Sequence, residues 1–109
     1  MAQQHAQSGQ VVRLAPWTDS SSDARTTAVI KAEQLEVVRV VLAAGKVFPE
    51  HRVQGEITVL CLQGRIIFRT PTSEQQMGPG DFIHLQRGEP HALEALEDAS
   101  ALLTICLAG

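Results

Sequence analysis

The residues here able to do chemistry near neutral pH are His51, His84 and His91, with Arg39 and Glu56 as charged companions. A neutral imidazole can accept, donate or relay a proton, and its unprotonated nitrogen ligates divalent metals. Arg39 interrupts the otherwise apolar run Val37-Val38-Arg39-Val40-Val41. A guanidinium in such a run is seldom fully buried without a partner. It either clamps a ligand carboxylate or reaches out at a strand edge to pair with a glutamate. His84, flanked by Ile83 and Leu85, suits a surface or interface position better than a pocket. Glu50, next to His51, reads as a solvated loop acid, and His5 lies in a polar amino-terminal segment.

Other chemistries find little support. The two cysteines, Cys61 and Cys106, both lie in apolar runs, and neither has a second cysteine at metal or redox spacing. Buried free thiols are the expectation. Cys61 shares period-two parity with Ile57 and Val59, which turns it inward as packing rather than as a nucleophile. No Ser/His/Asp constellation is present, and no glycine-rich loop opens a helix to cradle phosphate. A net charge of -3 gives no electrostatic footprint for nucleic acid or an anionic membrane. Trp17, Phe48, Phe68 and Phe82 are the aromatic residues, too few for a platform that stacks bases. Phe48 and Phe82 are expected in the core.

The elements that must position these residues are short. The chain has 109 residues, enough for one core and too few for two. With 44% hydrophobic and 19% charged residues it is a globular composition, neither disordered nor membrane-spanning. The longest apolar run, Ala101 to Ala108 with Thr104 inside it, falls well short of a span of ~20 residues. The amino terminus has no charged stretch leading into an apolar one, so no secretory signal is read and a cytoplasmic location is expected. Residues 1–26 are rich in glutamine and serine and read as a flexible or loosely docked arm. Val11 to Leu14 and Trp17 are the apolar residues in that arm that could dock onto a partner surface.

From Thr27 onward, apolar runs alternate with glycine, proline and polar clusters. Strands are expected at Thr27–Lys31, Glu36–Leu42, Ile57–Leu62, Arg65–Arg69, Phe82–Leu85, Ala92–Leu96 and Leu102–Leu107. Gln63-Gly64 reads as a hairpin turn and Met77-Gly78-Pro79-Gly80-Asp81 as a tight surface turn. Residues 92–97 also have fair helix propensity, but the stretch is short and follows Gly88-Glu89-Pro90. Many short strands in series imply a sandwich or barrel, with residues 27–109 as the domain.

Two motifs carry a resemblance. Gly45-Lys46-Val47-Phe48-Pro49-Glu50-His51, with Gly64 thirteen residues after the histidine, resembles the first motif of the cupin superfamily. Pro79-Gly80-Asp81 followed by Gly88-Glu89-Pro90-His91 resembles the second. The fifteen residues between Gly64 and Gly80 are similar to the short spacer of small single-domain bacterial cupins. The resemblance covers residues 45–95 and implies an all-β double-stranded β-helix, a jelly-roll barrel of the RmlC-like type. It also implies that His51 and His91 face each other inside the barrel mouth, one from each sheet.

The departures bear on function. Metal-binding cupins carry a second histidine two residues after the first, then a glutamate, then a last histidine. Here those middle positions are Val53 and Ile57, and only His51 and His91 remain. Glu56 is one residue early, which on a strand turns it to the opposite face. A bulge at Gln54-Gly55 could rotate Glu56 inward, and His84 could supply a third nitrogen. Both are weak third ligands for a divalent metal held by His51 and His91. The expected cofactor is therefore none, or a weakly bound divalent metal.

Three functions compete. The first is a metal-independent barrel that binds or senses a small ligand, its pocket lined by His51, Val53, Ile57, His91 and Arg39. The second is a small metal-dependent enzyme of dioxygenase, decarboxylase or isomerase type working from His51 and His91. The third is a structural accessory protein built on a dimeric barrel. A homodimer is expected in each case. Both parities of Ile57–Leu62 are apolar apart from Thr58, so Leu60 and Leu62 need a partner sheet or the amino-terminal arm. No nucleic-acid or membrane partner is expected.

Overall fold

The computed structural model describes residues 5–14 and 26–107. Trp17 and the serine-rich stretch of the arm lie outside the described residues. Nine strands build the domain: β1 (Thr27–Lys31), β2 (Leu35–Leu42), β3 (Val47–His51), β4 (Ile57–Gln63), β5 (Ile66–Thr70), β6 (Ser73–Met77), β7 (Phe82–Leu85), β8 (His91–Ala95) and β9 (Ala99–Cys106). They form a five-stranded sheet in the order β1-β2-β9-β4-β7 and a four-stranded sheet in the order β3-β8-β5-β6. Every pairing is antiparallel. The helix alternative at 92–97 is not taken, because β8 is wedged between β3 and β5 and its ladder outweighs a weak local preference.

Strand parity builds the core. Val40, Leu42, Ile57, Val59, Cys61, Leu85, Ala99 and Ala101 point inward from the five-stranded sheet. Ile66, Phe68, Met77, Leu93 and Ala95 meet them from the four-stranded sheet. The burial of β4 alternates as the sequence parity requires, with Ile57, Val59 and Cys61 enclosed. Burial raises the Cys61 thiol above its ordinary pKa and keeps it protonated and packed.

Two strands escape the sequence reading. β3 contains Pro49, Glu50 and His51 and carries a register irregularity against β8. β6 is a polar edge strand, Ser-Glu-Gln-Gln-Met, held by its ladder to β5. The Gln63-Gly64 step is also different from expectation. β4 and β5 belong to opposite sheets, so it is a corner between layers rather than a hairpin. Gly64 has φ +78°, and a Cβ there would run into the Asp98 carbonyl and Ala99. A closely packed corner demands glycine where a hairpin only prefers it. The Gly78–Asp81 turn is as expected: Gly78 N–H donates to the Asp81 carboxylate at 2.8 Å and Asp81 N–H returns to the Gly78 carbonyl at 2.9 Å.

The two outer faces differ in character. On the four-stranded sheet Arg69 bridges Glu74 and Glu94, each at 2.9 Å, making a charged, solvated surface. On the five-stranded sheet, register aligns Arg39, Leu102, Leu60 and Phe82 in one row, and the remaining outer positions include Val37 and Val41. Phe82 is 62% exposed, so it belongs to this outer surface and not to the core.

Candidate functional site

β3 and β8 bring His51 and His91 together as direct cross-strand partners. Their ring centroids lie 4.3 Å apart with the planes tilted by 59°. The two histidines are adjacent, but they come from neighbouring strands of the same four-stranded sheet rather than from opposite sheets. The register irregularity between Phe48 and His51 is what brings position 51 opposite position 91.

Their environments are unequal. His91 is 2% exposed and stacks nearly parallel on Phe68, centroids 5.9 Å apart and planes 8° from parallel. His51 is exposed. Each ring is oriented in the same way, by the carbonyl two residues before it. His51 Nδ1 lies 3.1 Å from the Pro49 oxygen, and His91 Nδ1 lies 3.1 Å from the Glu89 oxygen. A carbonyl only accepts, so both Nδ1 atoms carry a proton, and in the neutral form of either ring it is Nε2 that keeps the lone pair. Burial holds the His91 pKa below the usual imidazole value, and the neighbouring His51 pushes it the same way. His91 is thus neutral at pH 7, an acceptor or a base.

Ile57 is 2% exposed in the core, and Val53, two residues after His51, packs against that core. The Val53 carbonyl accepts from Gly88 N–H at 3.1 Å, which ties the loop after His51 to the loop before His91. Of the pair, His91 is packed into the core on Phe68, while His51 stays at the surface. Phe68, Pro49 and Glu89 complete the arrangement and were not singled out from the sequence. The repeated two-residue offset, Pro49 to His51 and Glu89 to His91, was the only local signal for the carbonyls.

The other candidates lie elsewhere. Glu56 keeps the outward parity that its strand position implies, and its carboxylate meets His84 Nε2 at 2.7 Å on the outer face of the five-stranded sheet. Glu56 and His84 line a groove of about 450 Å³ with Leu35, Thr58, Thr104 and Cys106. The bulge that would bring Glu56 inward does not form, and neither residue joins the His51–His91 pair. Arg39 is also outside the barrel. It alternates with the buried Val40 and pairs across the sheet with Thr27 and Leu102, so it faces the outer surface.

A resident transition metal, held as cupins hold it, needs three or four protein donors. Among the described residues no group of three His, Cys, Asp or Glu side chains is arranged to hold one. The donor chemistry gives the reason. Two nitrogens are present, and the positions that would complete the set are Val53 and Ile57, which have no lone pair. The residues do not fit a tightly held metal.

The fold and these motifs agree with known proteins. Residues 38–107 match the family model described as the cupin domain. None of the curated proteins compared with the chain matches it in sequence. A conserved Streptococcus pyogenes protein of unknown function superposes with a TM-score of 0.80 at 20% identity, covering 97% of this chain and 94% of that one. A cupin superfamily protein from Desulfitobacterium hafniense gives 0.79 at 16% identity, over 95% of each chain. The DMSP lyase DddQ of Ruegeria pomeroyi gives 0.67 at 23% identity, over 74% of this chain and 45% of that chain. At such identities the likeness is one of fold. With the family model spanning well over half its length, the chain belongs to the cupin family.

Proposed function

We propose that this cupin is a metal-independent barrel that binds a small organic ligand at the His51–His91 pair. The observation that supports it most is the cross-strand pairing of His51 with a buried His91, in a chain that carries the apolar Val53 and Ile57 where metal-binding cupins carry further ligands. Both Nδ1 protons are committed to backbone carbonyls, so the Nε2 atoms are left as acceptors. The complementary ligand carries a hydroxyl or N–H group to donate, on a small apolar body. An ionised carboxylate is a poor fit, since its charge would face acceptor nitrogens, one of them on the buried His91.

The second reading, an enzyme of dioxygenase, decarboxylase or isomerase type, draws on the same two lone pairs. A neutral imidazole held in one tautomer is a competent base. The similarity to a lyase such as DddQ adds only that the fold accommodates such chemistry. For the oligomer, the apolar row Leu60, Leu102 and Phe82 on the outer face of the five-stranded sheet, against the charged outer face of the four-stranded sheet, favours a homodimer through that row.

The test is a thermal-shift and calorimetric screen of small neutral alcohols, phenols and amides against the purified chain. Saturable binding that is lost in His51→Ala and His91→Ala supports the reading. Binding unaffected by both substitutions, or turnover without a stable complex, counts against it.

A further inference from the structure

Among the described residues Arg39 is a cation without a counter-charge. Its Nε is buried and has no hydrogen-bond partner among the described residues. No ion pair involving Arg39 forms there either, while Arg69 on the other sheet holds two. An enclosed guanidinium edge without an acceptor costs free energy unless charge or hydrogen bonding is supplied elsewhere on the group.

The surroundings indicate what is missing. Arg39 lines a cavity of about 380 Å³ between the outer face of β1–β2 and the amino-terminal segment, which also presents His5, Gln10, Arg13 and Thr27. Among the described residues, every ionisable side chain in that lining is basic and none is a carboxylate. The segment is fixed against the sheet edge by Ala6 N–H, which donates to the Val29 carbonyl at 2.9 Å. Gln10 accepts from Gln7 N–H through its side-chain oxygen at 2.9 Å, so its amide nitrogen remains a donor. Thr27 is the direct cross-strand partner of Arg39.

We infer that this cavity is a binding site for a small oxyanion, a carboxylate or a phosphate, held by Arg39 and Arg13 and separate from the histidine pair. The guanidinium fork suits two oxygens of one anion, and the neutral donors of Gln10 and Thr27 suit the rest. Enclosing one edge of Arg39 strengthens attraction at the edge that remains accessible, because the local dielectric falls. The site depends on the amino-terminal segment, so anion binding also fastens the arm to the barrel.

The experiment is a titration of the full chain with inorganic phosphate and, separately, with succinate, each against sodium chloride at equal ionic strength. Binding is followed by calorimetry and by the thermal midpoint. Saturable binding of phosphate alone identifies a phosphate-bearing ligand, of succinate alone a carboxylate, and of both a general oxyanion site. Arg39→Met should weaken the response about ten- to a hundredfold, the value of one charge-assisted bidentate contact. It should fold normally, because it removes an unsatisfied donor. Arg39→Lys should fall between, and Arg87→Gln, which removes an exposed cation elsewhere, should bind as the wild type does. No specific response to either anion overturns the inference, as does an equal response in Arg39→Met. It is also overturned if only the Asp19→Asn/Asp23→Asn variant binds anions, since the chain's own carboxylates would then be the occupants.

Discussion

His51 and His91 are cross-strand partners with ring centroids 4.3 Å apart, and each gives its Nδ1 proton to the carbonyl two residues earlier. One ring is buried on Phe68 and the other is exposed. A matched pair in tautomer is thus mismatched in environment, and the mismatch has measurable consequences.

The first is for stability. His91→Ala removes a buried ring from its stack on Phe68 and should cost about 2–4 kcal/mol. His51→Ala removes an exposed ring and should cost less than about 1 kcal/mol. Urea denaturation of both variants checks the difference, and equal losses would contradict the burial of position 91.

The second is for pH. Burial lowers the His91 pKa in the folded state, so the unfolded chain takes up that proton first as pH falls. The contribution is fully present above the unfolded imidazole value of ~6.5 and is lost as pH falls from there through the lowered folded value. Thermal midpoints measured from pH 8 down to pH 5 should drop more steeply in the wild type than in His91→Asn. A wild-type curve parallel to that of the variant would show that His91 does not titrate on unfolding.

A third concerns assembly. If the Leu60, Leu102 and Phe82 row on the outer face of the five-stranded sheet pairs with a second copy, Phe82→Glu should convert a dimer to a monomer with the fold intact. Light scattering gives the mass and circular dichroism the fold. A monomeric wild type, or a dimer indifferent to this change, would mean that the face serves another purpose.

Much of this was legible in the sequence. Seven strands follow from apolar runs, and the parity of β4 correctly turned Ile57 inward and Glu56 outward. The misses share one physical cause: what is decided by tertiary pairing leaves little local trace. β6 is polar and exists because β5 offers it a ladder. β3 carries a proline and an irregular register, and it is held by β8. Gly64 looks alike in a hairpin and in a corner, and only the closeness of Asp98 and Ala99 separates the two. Arg39 reads from the sequence as a pocket residue, and the structure places it on the outer face, opposite in parity to the buried Val40. In a run apolar on both parities, nothing local says which face is the interior.

A fourth prediction rebuilds what the site lacks. Val53→His with Ile57→Glu puts donors at the two positions where metal-binding cupins carry them between the first and last histidine. The variant should be less stable than the wild type without metal, because a carboxyl enters the core at position 57. Zinc or manganese should restore its thermal midpoint.

The most direct test of the central claim is calorimetric titration of the wild type with zinc and manganese, accompanied by the metal content of the protein as purified. The account predicts far less than one ion per chain and no tight, saturable binding, with both appearing in Val53→His/Ile57→Glu. One tightly held ion per wild-type chain, lost in both His51→Ala and His91→Ala, would contradict the metal-independent barrel and make this cupin a metalloprotein.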